Sequence, residues 1–544
     1  MTRALRRHDA ATGTLLTRWA PLATLAIAFV VGVLLRLQAI APGSAFNGDE
    51  AVTGVMVRHI LRGENQYVYF TGQEYNGSLE QYIQAAMYAI FRLPETPFTL
   101  RLVQVAFGAA TIALVYVLTR FVMPNRWPAV AAAAYFAAGP YFNVLIGTES
   151  YGAYDSRQLV ALVGVVIALR VTGWTWNGER KEPGRWAVAL WLGAFGVVLG
   201  LTVWLGLPAL EVLVMAAVWL LPTLLRSWRG LVLGILGIVV GAGPVLVWVV
   251  TNGRLPTSTS PQTPTSFLER AHLLFSYVAR QYLGLAGPPR LQSIVILLLV
   301  AVLLAAWVVR ARGLLGILTL RLAPRRPGDL ILAIIPVAVL IYLASSYTWF
   351  IDSPRYLNVL FPVTAVAFGM LVHRSASLRL PGRGGSRRVS AVLVSILAVL
   401  LVGSTVSGTA RRTHSANASA EASFASAANM EKAEAYLESH GDLRVYADYW
   451  TALPAQYYDD DEKIAFAPLV DGKSKGGEDN ALVEASPTFV YMTSNQTTPD
   501  RVAAIKAALD SHGVTYDEVH IGRVTIFDDL SKQLRPNELG LITF

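Results

Sequence analysis

The chain has 544 residues, 54% of them hydrophobic and only 15% charged, with a mean hydropathy of +0.46. A soluble domain carries about 25% charge, so most of this chain belongs in a bilayer. The absence of cysteine excludes disulfides, thiol catalysis and cysteine metal sites, and the net charge of +9 is spread over short loops between apolar runs, which the membrane explains without nucleic acid as a partner.

Arg3, Arg6, Arg7 and Arg18 precede the first apolar run, 20–41. That run is too long for a cleaved signal sequence and has no small-residue cleavage site at the right place, so an uncleaved anchor with a cytoplasmic N-terminus is expected. Runs of about 20 apolar residues then recur at 101–122, 128–146, 158–173, 186–204, 207–225, 230–250, 291–309, 330–348, 356–373 and 389–408. The stretch 79–93, LEQYIQAAMYAIFRL, is too short and too polar to span, and reads as an amphipathic helix in the outer interface.

Eleven spans put the loops 123–126, 177–185, 226–229, 310–326 and 373–388 inside, and all are basic, as cytoplasmic loops are. Segments 46–80, 147–156, 251–290, 349–355 and everything after Gly408 fall outside. Counting 79–93 as a span would invert every later loop. The expected fold is a polytopic α-helical membrane protein with a membrane module over 1–408, whose first outer loop is 43–100. A small-residue linker and helix follow over 409–441, and a small C-terminal extracytoplasmic α/β domain over 442–544. In that domain RVYADYW, KIAFAPL, PTFVYMT and HIGRVTIFDD read as strands, and PDRVAAIKAALDSHG as a helix stopped by Gly513.

Four groups reach the same outer face under this topology. Asp49 and Glu50 follow the first span, with Arg58 and His59 beyond them. The hairpin TGQEYNGSLE holds Gln73, Glu74, Tyr75 and Glu80. The loop IGTESYGAYDSRQ holds Glu149, Tyr151, Asp155 and Arg157, and TWFIDSPRY holds Asp352, Arg355 and Tyr356; Arg101 begins the second span on that side. Carboxylates meeting arginines at a membrane edge suit group transfer from a lipid phosphate: arginine binds phosphate bidentately and stabilises it as a leaving group, while a carboxylate takes the proton of an attacking hydroxyl. Plainer roles compete. Asn47 or Asp49 suits a cap for a helix starting near Ala51, with Glu50 at its positive end. Arg101 and Arg157 suit headgroup anchors, Glu80 a solvated helix face, His59 a helix surface, and Asp352-Ser-Pro-Arg-Tyr a turn before a span.

The order of these features resembles a GT-C glycosyltransferase, and within that class the bacterial relatives of protein O-mannosyltransferases and lipid A aminoarabinose transferases. The residues carrying the resemblance are FNGDEA (46–51), GQEYNGSLE (72–80), TLRL (99–102), the loop with Asp155, SPRYLNVLFP (353–362) and the DYW of 448–450. It implies a polyprenyl-phosphate-linked monosaccharide as donor and an extracytoplasmic acceptor (glycan, lipid or protein). It also implies inversion at the anomeric carbon with Asp49 as general base, Glu50 and Asp155 beside it, and Arg355 and Tyr356 with Arg157 or Arg58 on the phosphate. Glu149 and Asp155 are separated instead of forming a close D-x-D pair, which argues against a divalent-metal mode, so no cofactor is assigned. Two rivals share parts of the pattern. A lipid-linked-sugar transporter would place charge near the midplane, where Glu211 is the main candidate. A cell-envelope polysaccharide polymerase or ligase typically depends on arginines in large outer loops.

Overall fold

The structure, a computed structural model, describes residues 2–257, 265–285, 288–320, 325–345, 355–376, 386–423, 427–469, 477–494 and 500–541. Asp352 lies outside the described residues. Helix α1 (Thr2–Ala39) carries the first span. Helix α2 (Gly48–Arg62) starts three residues earlier than expected. Asn47 is its cap, accepting from the Glu50 N–H at 3.1 Å, while the Glu50 carboxylate reaches back to the Asn47 N–H; Gly63, with φ of 72°, ends it. Strands β1 (Tyr69–Phe70) and β2 (Gln73–Gly77) form a small antiparallel hairpin. Helix α3 (Leu79–Phe91) turns Glu80, Gln81, Gln84 and Tyr88 inward and leaves Ile83, Ile90 and Phe91 exposed. Its amphipathic character is therefore inverted: polar toward protein, apolar toward the surroundings.

The short α4 (Pro97–Leu100) leads into α5 (Leu102–Val122). The expected span 128–146 is broken into α6 (Arg126–Ala138) and α7 (Tyr141–Ile146). Between them stand Gly139, with φ of 45°, and Pro140, which cannot donate into a helix. Helices α8 (Tyr154–Val171), α9 (Arg185–Leu205), α10 (Leu210–Leu224), α11 (Trp228–Gly241) and α12 (Gly243–Asn252) follow, the last two bent by 59°. After the short α13 (Phe267–Leu273) and α14 (Ala279–Tyr282) come α15 (Pro289–Leu318), α16 (Pro327–Ala344), α17 (Phe361–Ala376) and α18 (Ser386–Ser423). Eight helices among the described residues are long and apolar enough to cross a membrane, nine if α11 and α12 make one span. Each of the eleven expected stretches is mainly helical over its described residues; α6 is shorter than a span, and α8 carries Asp155, Arg157 and Arg170.

Burial in this part of the molecule centres on α5, α6, α8, α10, α16 and α17. Helices α9 and α11 pack backbone to backbone: a Cβ on Gly196 would stand 2.1 Å from the Gly234 carbonyl oxygen, and one on Gly237 2.1 Å from that of Gly193. Small residues allow this approach where no hydrophobic effect drives helices together.

Three expectations for the C-terminal part change. Most of the linker over 409–441 is helix, because α18 runs unbroken from Ser386 to Ser423 before α19 (Ala427–His440). Strand β3 (Arg444–Ala447) stops before Asp448-Tyr449-Trp450, which starts α20 (Tyr449–Tyr458). Strand β4 (Ala465–Pro468), α21 (Asp479–Ala485), β5 (Val490–Ser494) and α22 (Asp500–Ser511) follow. The stretch read as one final strand is a hairpin of β6 (Asp517–Ile521) and β7 (Val524–Asp528), turned at Gly522 with φ of 60°. The five strands lie in the order β4-β3-β5-β7-β6, with β3, β4 and β5 parallel and β7 antiparallel to both its neighbours.

Helix α20 rests on α2, and two glycines make the seat. A Cβ on Gly54 would stand 2.2 Å from the Tyr457 ring, and one on Gly48 3.1 Å from that of Tyr449. Phe46 tilts against Tyr457 with ring centroids 4.8 Å apart.

Candidate active site

The N-terminus of α2 carries Asp49 and Glu50 in its first turn, where backbone N–H groups favour negative charge. Their surroundings differ. Glu50 is fully buried and held bidentately by Arg101, Nε to Oε1 at 2.6 Å and Nη2 to Oε2 at 2.5 Å, with the Ser150 N–H adding a third bond at 2.9 Å. Arg101 also donates to the Ser44 hydroxyl at 2.5 Å and to the Ala45 carbonyl. Asp49 is half-buried, and its Oδ1 accepts a hydrogen bond from the hydroxyl of Tyr449, on the C-terminal unit.

Beneath this pair, a polar network ties the outer loops together. Gln84 and Gln104 donate to the Ser150 hydroxyl at 2.6 and 3.2 Å, and Thr53 donates to the Ser150 carbonyl at 2.6 Å. Glu80 is buried here, accepting from Gln104 at 3.1 Å and from the Ser156 N–H and hydroxyl at 3.1 and 2.7 Å. This corrects the solvated-face reading of Glu80: its carboxylate caps the first turn of α8 from a different helix. Burial pushes its carboxyl upward, against the pull of the Ser156 and Gln104 hydrogen bonds.

The second outer loop supplies Glu149, bonded to the Tyr151 hydroxyl. Burial first, and then the charge of Glu50, raise its carboxyl to about 7, with Arg101 and Arg355 opposing. The Arg355 guanidinium lies 5.1 Å over the Tyr151 ring and shares a hydrogen bond with Tyr154, whose ring sits 6.5 Å from that of Tyr356. Tyr75 lies within electrostatic reach of Tyr449, Tyr356 and Arg157, joining the Asp49 side to the arginine side. Arg157 donates to the Leu205 carbonyl at 2.8 Å and to Asn76, which in turn donates to Gln73; Glu74 leaves the group to bind Arg254 and Thr257.

Three sequence-predicted site residues are placed elsewhere. Arg58 is buried in the seam with α20, donating to the carbonyls of Tyr457 and Asp459 at 2.6 and 3.0 Å and to Asp460 and Glu95 at 2.9 and 3.3 Å. His59 stands beside it, bonded to the Tyr67 hydroxyl at 2.7 Å and to Glu462 at 3.2 Å. With Glu64 these make one cluster whose ligand atoms lie within 4.8 Å of one another, but Glu462 is already neutralised by Arg62 and Arg58. Asp155 is buried, one carboxylate oxygen unpartnered among the described residues, within electrostatic reach of Arg36 and of Glu80. The sequence reading missed Tyr449, Tyr154, Gln84 and Gln104; of these only Tyr449 carried a signal, within the DYW pattern.

No protein-family model matches the sequence, and no curated protein matches it. Solved structures share the fold of this chain. The chain is similar to ArnT from Cupriavidus metallidurans bound to undecaprenyl phosphate, with 14% identity, a TM-score of 0.53, and coverage of 94% of this chain and 98% of that one. Against the apo state of the same protein the TM-score is 0.54, with 14% identity and coverage of 95% and 98%. The archaeal oligosaccharyltransferase AglB from Archaeoglobus fulgidus matches at 12% identity and a TM-score of 0.46, over 88% of this chain and 70% of that one.

Proposed function

We propose that this protein is a membrane glycosyltransferase that moves a monosaccharide from a polyprenyl-phosphate donor to an acceptor outside the cytoplasm. The observation that carries this reading is the half-buried Asp49 carboxylate at the start of α2 within a GT-C fold, with Tyr75 in electrostatic reach both of its partner Tyr449 and of Tyr356, beside the Arg355–Tyr154 pair. The N-terminus and the basic loops lie inside, and α2, α3 and residues beyond 408 outside.

The Asp49 carboxylate takes the proton of the acceptor hydroxyl as its oxygen attacks the anomeric carbon. The new C–O bond forms on the face opposite the phosphate, so the configuration inverts. The electron pair of the breaking bond leaves with polyprenyl phosphate, whose charge Arg355 stabilises with Tyr356 and Arg157 beside it. A phosphate leaves without needing a proton, so one carboxylate suffices, unlike the two of glycosidases. Glu50 acts through Arg101, and both serve to fix the start of α2. Nearly full-length likeness to a protein solved with undecaprenyl phosphate supports the donor class.

Purified protein given a labelled sugar on undecaprenyl phosphate and an envelope extract should move the label into the extract. Arg355→Ala should weaken donor use about tenfold, the loss of one hydrogen bond to a charged group. Label that stays on the lipid in every extract, or transfers equally well from a nucleotide sugar alone, overturns the reading.

A further inference from the structure

The DYW pattern of 448–450 has a structure that the reaction above does not use. Asp448 is buried and caps α20, accepting from the Trp450 N–H at 3.1 Å. Its other oxygen takes the Thr451 hydroxyl at 2.5 Å and the Thr493 hydroxyl at 2.9 Å, and Arg501 of α22 pairs with it at 3.4 Å. These bonds fix the first turn of α20 to the centre of the C-terminal sheet. Trp450 stands edge-on to Tyr449, ring centroids 4.9 Å apart, and the glycine at position 48 lets the Tyr449 ring close onto α2. The phenol thus arrives from the C-terminal unit, along a rigid path, at Asp49 Oδ1.

We propose that Tyr449 is a positioning residue for the Asp49 carboxylate, so that the catalytic centre is built from both parts of the chain. A carboxylate on a short side chain turns freely about its last bond. A donor on Oδ1 fixes that rotation and so sets the direction in which the carboxylate meets the acceptor's proton. Burial, and then the Asp49 charge, hold the phenol well above its ordinary range, so it stays a donor at every working pH. Tyr75 from β2 lies within electrostatic reach of the Tyr449 phenol, and Glu50, next to Asp49 in the chain, is paired with Arg101 of the α4–α5 junction.

This inference rests on the glycosyl-transfer reading of Asp49, and two measurements separate the two. Tyr449→Phe keeps the ring and its packing but removes the donor. In the transfer assay it should lower kcat about tenfold with donor KM within about twofold. A merely structural role would lower the yield of folded protein without splitting kcat from KM in this way. If Asp49→Asn is inactive and Tyr449→Phe keeps wild-type kcat, the positioning role is overturned and the transfer reading stands. If wild-type protein moves no sugar, the transfer reading falls, and a double-mutant cycle of Tyr449→Phe and Asp49→Ala on thermal unfolding decides the contact: coupled shifts keep it and additive shifts overturn it.

Discussion

At the start of α2 two adjacent carboxylates meet opposite surroundings. Glu50 is enclosed with Arg101 and the Ser150 N–H, whereas Asp49 stays half-buried under Tyr449. Breaking a buried ion pair by removing one partner's charge costs about 3–5 kcal/mol, so Glu50→Gln should lower the unfolding temperature in detergent and the yield of folded protein. Asp49→Asn should keep the unfolding temperature and lose about 10²–10⁴-fold in transfer rate. Unfolding scans beside transfer assays of both variants check this contrast. Glu149 makes a pH prediction. Its folded carboxyl is raised to about 7 from 4.5, so the native state holds a proton that the unfolded chain gives up between those values. The contribution is full below pH 4.5 and is lost as the pH rises to about 7. Glu149→Gln should therefore gain stability relative to wild type across that interval, read from unfolding temperatures at a series of pH values. The sequence marked these acids by their place after apolar runs. It did not tell Glu50 from Asp49, because their partners stand at Arg101 and Tyr449, far along the chain.

At the scale of elements, glycines decide where helices meet. Gly48 sits in the first turn of α2, and what it supplies is closeness: it lets Tyr449 approach instead of freeing the backbone to turn Asp49. Gly54→Val should drive a side chain into the Tyr457 ring at a cost of about 1–3 kcal/mol. The expected result is faster proteolysis of the C-terminal unit while α1–α18 stay resistant; an unchanged cleavage pattern would show that α20 has another way to seat. Helix α3 shows what periodicity leaves open. Its apolar and polar faces were legible, but a water-facing and a protein-facing polar stripe look alike in sequence. The burial of Glu80, Gln84 and Tyr88 follows from the partners that α5 and α8 bring to them.

For the whole molecule, the distribution of charge sets which side each part faces. Basic loops and outer acids predict a cytoplasmic N-terminus and an extracytoplasmic C-terminal unit. The chain has no cysteine, so Glu179→Cys and Ser511→Cys, both at exposed positions, give a clean test. Only Ser511→Cys should react with an impermeant thiol reagent in intact cells, and Glu179→Cys only after lysis.

The membrane class, the helical stretches and the presence of a terminal α/β unit were set by the sequence alone, because a bilayer demands long apolar runs and a sheet demands short alternating ones. Those signals are local. Tertiary structure alone decided that the first outer loop and the C-terminal unit share a seam, that Arg58 and His59 belong to that seam, and that Tyr449 meets Asp49. The reason is physical: a contact across 400 residues leaves no periodic trace in either segment. It exists only because Asp448 fixes one helix, Asn47 caps the other, and two glycines let them touch.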